Sequence, residues 1–193
     1  MLIFASNNEN KVKEVNALLH GIMEVISLKE AGIMQDIPEP FLTLEENATT
    51  KSATIYQLTG RDCFSEDTGL EVQALDGRPG VKSARYNEEG VFGSNIDKLL
   101  FELKNKPNRS ARFRTVISLI MNGKEFQFEG ICNGQITEAP KGHGGFGYDP
   151  VFIPDGAKVT FGEMEMDEKN QYSHRKKAVA QLLNFLKTTY GKN

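Results

Sequence analysis

At 193 residues, 39% of them hydrophobic and 25% charged, the chain has the profile of one water-soluble globular domain. A formal charge of −3 gives no global basic field for nucleic acid, so any polyanion must be met by a local cluster. The two cysteines, Cys63 and Cys132, match no metal or redox spacing, and with three histidines they argue against a zinc site.

Leu2 to Ala5 reads as a short buried strand. Lys11 to Leu19 carries Val12, Val15, Leu18 and Leu19 on one helix face, with the polar "SNNEN" before it as a cap. Met23 to Leu28 suggests a second strand, so the chain begins β-loop-α-β with a parallel pair expected. "TLEE" at Thr43 is a capping box, opening a helix that should close at Gly60. Cys63 to Ser65 begins a short strand that "EDTGL" is expected to break. Ser94 can cap a helix from Asn95 to Leu103. Arg112–Met121 and Lys124–Cys132 flank Asn122-Gly123, the preferred two-residue hairpin turn. Ser173 caps a last helix with Ala178, Leu182, Leu186 and Tyr190 at helical intervals. No stretch reaches the ~20 apolar residues of a membrane span. "MLIFASNNENK" turns polar too soon for a signal peptide, so the chain reads as cytoplasmic and reduced.

Several short stretches can carry chemistry. In "SNNENK" the unpaired N–H groups of a helix start attract anions, Ser6 and Asn8 add donors, and Lys11 adds a charge; taken alone, the motif is better read as a plain polar cap with a solvated lysine. In "EDTGL" the adjacent acids Glu66 and Asp67 point in different directions. Asp67 can bind Mg²⁺ or polarise water, or it can be a turn aspartate ahead of Gly69. Glu39, fixed between two prolines, and Lys51, inside a helix, each read alone as surface charges. "SHRKK" puts cations at a helix N-terminus, at a cost of roughly 0.3–1 kcal/mol each, which calls for a negative or acceptor-rich partner around His174 and Arg175. Lys176 and Lys177 read as solvated. "GGFGYDP", Gly144 to Pro150, is a loop with two rings whose glycines let the backbone pass close to something.

Taken in order, "ASNNENK", "LEENATTKSA", "SEDTGLEVQALDGRPGVKSARY", "GGFGYDPVF" and "SHRKKA" resemble the noncanonical purine nucleoside triphosphate pyrophosphatases, also called inosine triphosphate pyrophosphatases, over nearly the whole chain. The resemblance implies an elongated mixed α/β fold with flanking helices and a central nucleotide-binding cleft, in one bilobed domain over residues 1–193 and in a homodimer. It implies hydrolysis of ITP, dITP and XTP to the monophosphate and pyrophosphate by Mg²⁺-assisted attack of water on the α-phosphate.

Residue by residue, the resemblance gives Ser6, Asn8 and Lys11 to the triphosphate and Glu39 and Asp67 to Mg²⁺. Asp67 is also the expected base for water, Lys51 reaches the phosphates, and Thr68 touches the nucleotide. Phe146, Gly147, Tyr148 and Asp149 form the base pocket with Lys169, His174 and Arg175. Phe146 is expected to stack on the purine, and Arg175, all donors, suits the C6 oxygen of hypoxanthine rather than the amine of adenine. The chain departs from many relatives at Glu66, where they carry a second aspartate. A nucleotide-binding regulator without turnover and a pyrimidine-directed pyrophosphatase are the rival readings. The intact Lys11, Glu39, Lys51 and Asp67 oppose the first, and the "SHR" and "GFGYDP" blocks oppose the second.

Overall fold

The computed structural model describes residues 1–190, with Tyr190 described by its backbone alone. Seven strands, β1 (Leu2–Phe4), β2 (Val25–Ser27), β3 (Cys63–Val72), β4 (Pro79–Gly80), β5 (Ser110–Met121), β6 (Lys124–Ile136) and β7 (Phe152–Pro154), form one sheet in the order β2-β1-β3-β5-β6-β7, with β4 paired to β3. The sheet is mixed. β1 runs parallel to β2 and β3, whereas β3–β4 and β6–β7 are antiparallel. Helices α1 (Glu9–Leu19), α2 (Leu44–Thr59), α3 (Asn95–Glu102), α4 (Met166–Tyr172) and α5 (His174–Tyr190) complete the mixed α/β fold. The chain divides into two compact units. One comprises Met1–Asp67, Thr115–Gly130 and the chain from Arg175 on; the other comprises Thr68–Arg114 and Ile131–His174.

In the first unit, strand alternation sends successive side chains of β1 to opposite faces, and both faces are covered. Leu2 and Phe4 join Phe64, Ile117 and Leu119 against Val15 and Leu19 of α1 and Ala178, Leu182 and Leu186 of α5. Phe4 and Phe64 stack at 4.8 Å. Ile3 and Cys63 pack on the other side against Ile55 of α2. The expected parallel β1–β2 pair is present, with Leu2 opposite Val25. Helix α1 starts two residues earlier than the apolar spacing predicts, because Asn8 Oδ1 accepts the N–H groups of Asn10 and Lys11. Thr43 caps α2 by accepting the N–H of Glu46, and Gly60 ends it in the left-handed region at φ +64°. Asn122 and Gly123, both at positive φ, turn the chain from β5 into β6.

The second unit corrects the expected break in β3. The strand runs through "EDTGL" to Val72, with β5 hydrogen-bonded beside it in the sheet and β4 paired to its end, Leu70 opposite Gly80. A Cβ on Gly69 would lie 2.7 Å from the Gly80 carbonyl oxygen, so this glycine serves a close backbone approach and not a turn. The core of this unit gathers Leu70, Val72, Leu99, Leu103, Phe113, Ile136, Phe152 and Phe161. Ser94 caps α3 by accepting the N–H of Asp97. In the last helix, Ala178, Leu182 and Leu186 are buried as the spacing predicts, while the side chain of Tyr190 lies outside the described residues.

Candidate active site

In the first unit, the polar residues singled out in the sequence form two connected groups. Glu66 and Asp67 sit side by side on β3 and point apart, as alternation requires. Glu66, its side chain fully buried, accepts Nε and Nη2 of Arg175 at 2.8 Å each and lies 3.4 Å from Lys11 Nζ. Arg175 also donates through Nη1 to Glu14 of α1. Burial disfavours the Arg175 charge, but Glu66 and Glu14 outweigh it and hold its pKa well above the ordinary arginine range. Burial pushes the Lys11 pKa down, with Glu66 opposing it and Lys51 and Arg175 adding to the push.

On the other side of β3, Lys51 Nζ donates to Glu39 Oε1 and lies 3.4 Å from Asp67 Oδ1. Lys51 and Asp67 are 7% and 5% exposed. Burial raises the Asp67 pKa above the ordinary carboxylate range, Lys51 and Lys11 oppose the rise, and Glu39 adds to it. Asp67 Oδ2 is buried with no hydrogen-bond partner among the described residues. At the start of α1, Ser6 Oγ accepts the N–H of Asn8, whose own side chain is the helix cap.

The second unit builds the aromatic loop. Asp149 Oδ2 accepts the N–H of Phe146 at 2.8 Å and Lys169 Nζ at 2.6 Å. That ammonium also lies 5.3 Å from the Phe146 ring centre and 5.4 Å from that of Phe161. Phe146 is half-buried, and Gly147 beside it is exposed at φ +62°. Tyr148 is buried, and its hydroxyl donates to the Ser83 carbonyl oxygen at 2.9 Å. His174 stacks on Phe113 at 4.7 Å and 16°. Thr68, half-buried, opens this unit on β3.

The Ham1 family model matches residues 2–185. A dITP/XTP pyrophosphatase of Porphyromonas gingivalis is 50% identical over 96% of this chain and 96% of its own. The dITP/XTP pyrophosphatase of Flavobacterium johnsoniae is 47% identical over 97% and 98%. Among solved structures, the Ham1 protein of Staphylococcus aureus superposes with a TM-score of 0.86 at 35% identity, covering 97% of this chain and 98% of that one. A HAM1 protein from Coxiella burnetii gives 0.88 at 34%, over 98% and 100%. The chain belongs to the Ham1 family.

In this Ham1 chain the Arg175 donors, which the family resemblance gives to the base pocket, face Glu66 and Glu14, so the acceptor-rich partner demanded by a cationic helix start is supplied within the chain. Glu66, left without a role by sequence, is the centre of that group. Glu14 went unnoticed, although it stands three residues from Lys11, on the same helix face, and an acid beside buried Val15 was its signal. The Ser83 carbonyl had no signal, because any residue supplies one.

Mg²⁺ suits the second group of the first unit. The unpartnered, buried Oδ2 of Asp67 is an acceptor that a cation would satisfy. Among the described residues no three histidine, cysteine or acidic side chains gather as a metal cage. Mg²⁺ characteristically takes one or two carboxylates and completes its shell with water and substrate phosphates.

Proposed function

We propose that this chain hydrolyses ITP, dITP and XTP to the monophosphate and pyrophosphate, by attack of water on the α-phosphorus, and so clears noncanonical purines from the nucleotide pool. The observation that carries the chemistry is Asp67: a buried carboxylate with one oxygen unpartnered, adjoining Lys51 and Glu39. Relatives named dITP/XTP pyrophosphatases support the substrate class.

Lys11, Ser6, Asn8 and the N–H groups at the start of α1 bind phosphate oxygens, and Lys51 adds a second cation. Glu39 and Asp67 hold Mg²⁺, which when bound polarises water and offsets charge on the phosphates. Asp67, ionised, orients the attacking water and accepts its proton. Phe146 stacks on the purine beside Gly147 and Thr68, with Tyr148, Asp149 and Lys169 holding the loop and His174 completing the pocket wall. Arg175 anchors α5 beneath the phosphate-binding lysine. One pyrophosphatase domain over the chain and a cytoplasmic homodimer complete the reading, a part of it that rests on family resemblance. No described helix is long and apolar enough to cross a membrane.

The test is a nucleotide panel incubated with Mg²⁺, followed by identification of the phosphate species released. Equimolar monophosphate and pyrophosphate from ITP, dITP and XTP is the expected result. Primary orthophosphate, or equal turnover of ATP, would defeat the assignment.

A further inference from the structure

Lys51 and the carboxylates it holds have a consequence beyond phosphate binding. Its ammonium donates to Glu39 Oε1 and stands 3.4 Å from Asp67 Oδ1, so one cation bridges the two carboxylates that suit the metal. The ammonium touches one oxygen of each carboxylate, Glu39 Oε1 and Asp67 Oδ1. A metal that takes both carboxylates must share them with that charge. With 7% of Lys51 exposed, little water lies around its charge to screen it from a second cation. A lysine ammonium is a point charge on a flexible four-carbon stem, able to turn from one anion to another without moving the helix that carries it.

We propose that Lys51 competes with the divalent metal for Glu39 and Asp67. The triphosphate, by drawing the ammonium onto its own oxygens, then frees the carboxylates for the metal. This rests on the functional reading above, and it adds an order: metal and nucleotide bind together, and the metal alone binds weakly. Charge balance favours this order. Lys51 offsets one of the two negative charges on Glu39 and Asp67, and a dication beside it would leave the group net positive. The polyanionic phosphates reverse that balance. Because linkage is reciprocal, whatever weakens the Lys51–Glu39 contact strengthens metal binding in the absence of nucleotide.

The experiment is calorimetric titration of Mg²⁺ alone into nucleotide-free wild type, Lys51→Gln, Lys51→Arg and the double variant Glu39→Gln/Lys51→Gln, each checked for native circular dichroism. Lys51→Gln should bind Mg²⁺ at least about tenfold more tightly than wild type, the size of effect that one adjacent charge has on a buried ionisable group. Lys51→Arg keeps the charge and should stay weak, and the double variant should lose the gain. If Lys51→Gln is marginally folded, the Mg²⁺-induced rise in Tm gives the same comparison, larger in this variant than in wild type. Equal or weaker Mg²⁺ binding by Lys51→Gln, or a gain that survives loss of Glu39, overturns the proposal. Wild-type hydrolysis of the nucleotide panel is scored separately, so failure of the competition and failure of the assigned reaction are told apart.

Discussion

Asp149 holds Phe146 by its backbone: Oδ2 accepts the Phe146 N–H at 2.8 Å, and Lys169 closes on the same oxygen at 2.6 Å. Gly145 makes room for this clip. A Cβ there would lie 2.0 Å from Asp149 Oδ2, and its φ of +70° is strained for any other residue. Asp149 in this arrangement holds the loop that carries the Phe146 ring. Asp149→Ala should raise KM for ITP about tenfold or more with a smaller change in kcat, since a hydrogen bond to a charged group contributes about 1.5–3 kcal/mol. Inhibition by tripolyphosphate, which has no base, should be unchanged. Gly145→Ala should reproduce the KM effect. Equal losses of ITP and tripolyphosphate affinity would show that Asp149 acts on the phosphates or on the fold at large.

Asp67 carries the chemistry in the proposed reaction. Asp67→Asn keeps its size but removes the charge and the basic oxygen, and should lower kcat by at least about 10²-fold, the low end of general-base contributions. Circular dichroism should remain native, since Lys51 stays paired with Glu39. Near-normal turnover by folded Asp67→Asn protein would reduce Asp67 to a structural residue of β3.

What the sequence disclosed follows the range of the interactions. Thr43, Ser94 and the Asn122-Gly123 turn act within a few residues of themselves, and each stands where the sequence reading puts it. Gly69 misled because its reason is Gly80, eleven residues later, and the meeting of the two backbones exists only in the sheet. The partners of Arg175 lie over a longer span. The cost of a cation at a helix start was readable, but Glu66 and Glu14 are brought to it by β3 and α1. Individual site residues were ambiguous one at a time, and their order along the chain, matched to a family, gave each an expected role.

Cys63 gives a check on burial. It lies beneath α2 with no exposed surface, and burial pushes its thiol up to about 12, with the Asp62 carboxylate adding to the shift. The thiolate is the reactive form, so native protein at pH 8 should leave Cys63 unmodified by a disulfide reagent over hours, while denatured protein reacts at both cysteines. Rapid native labelling at Cys63, located by mass spectrometry, would contradict the packing of α2 on the sheet.

The most destabilising single change should be at Arg175. Its side chain is 2% exposed and its three donating nitrogens meet two carboxylates that are themselves buried. Removing it takes away the guanidinium that Glu66 and Glu14 share, while Lys11 lies 3.4 Å from Glu66. Breaking a buried pair in this way costs about 3–5 kcal/mol, a large fraction of the stability of a protein of this size. The loss belongs to the stranded charges more than to the missing bonds. Arg175→Ala should therefore unfold at much lower urea, and the double variant Glu14→Gln/Arg175→Met, which removes one charge of each sign and leaves Glu66 facing Lys11, should recover part of the loss. Chemical denaturation of the three proteins measures both effects. Arg175→Ala within about 1 kcal/mol of wild type, in the range of an exposed pair, would show that water reaches the group and that its charges are screened.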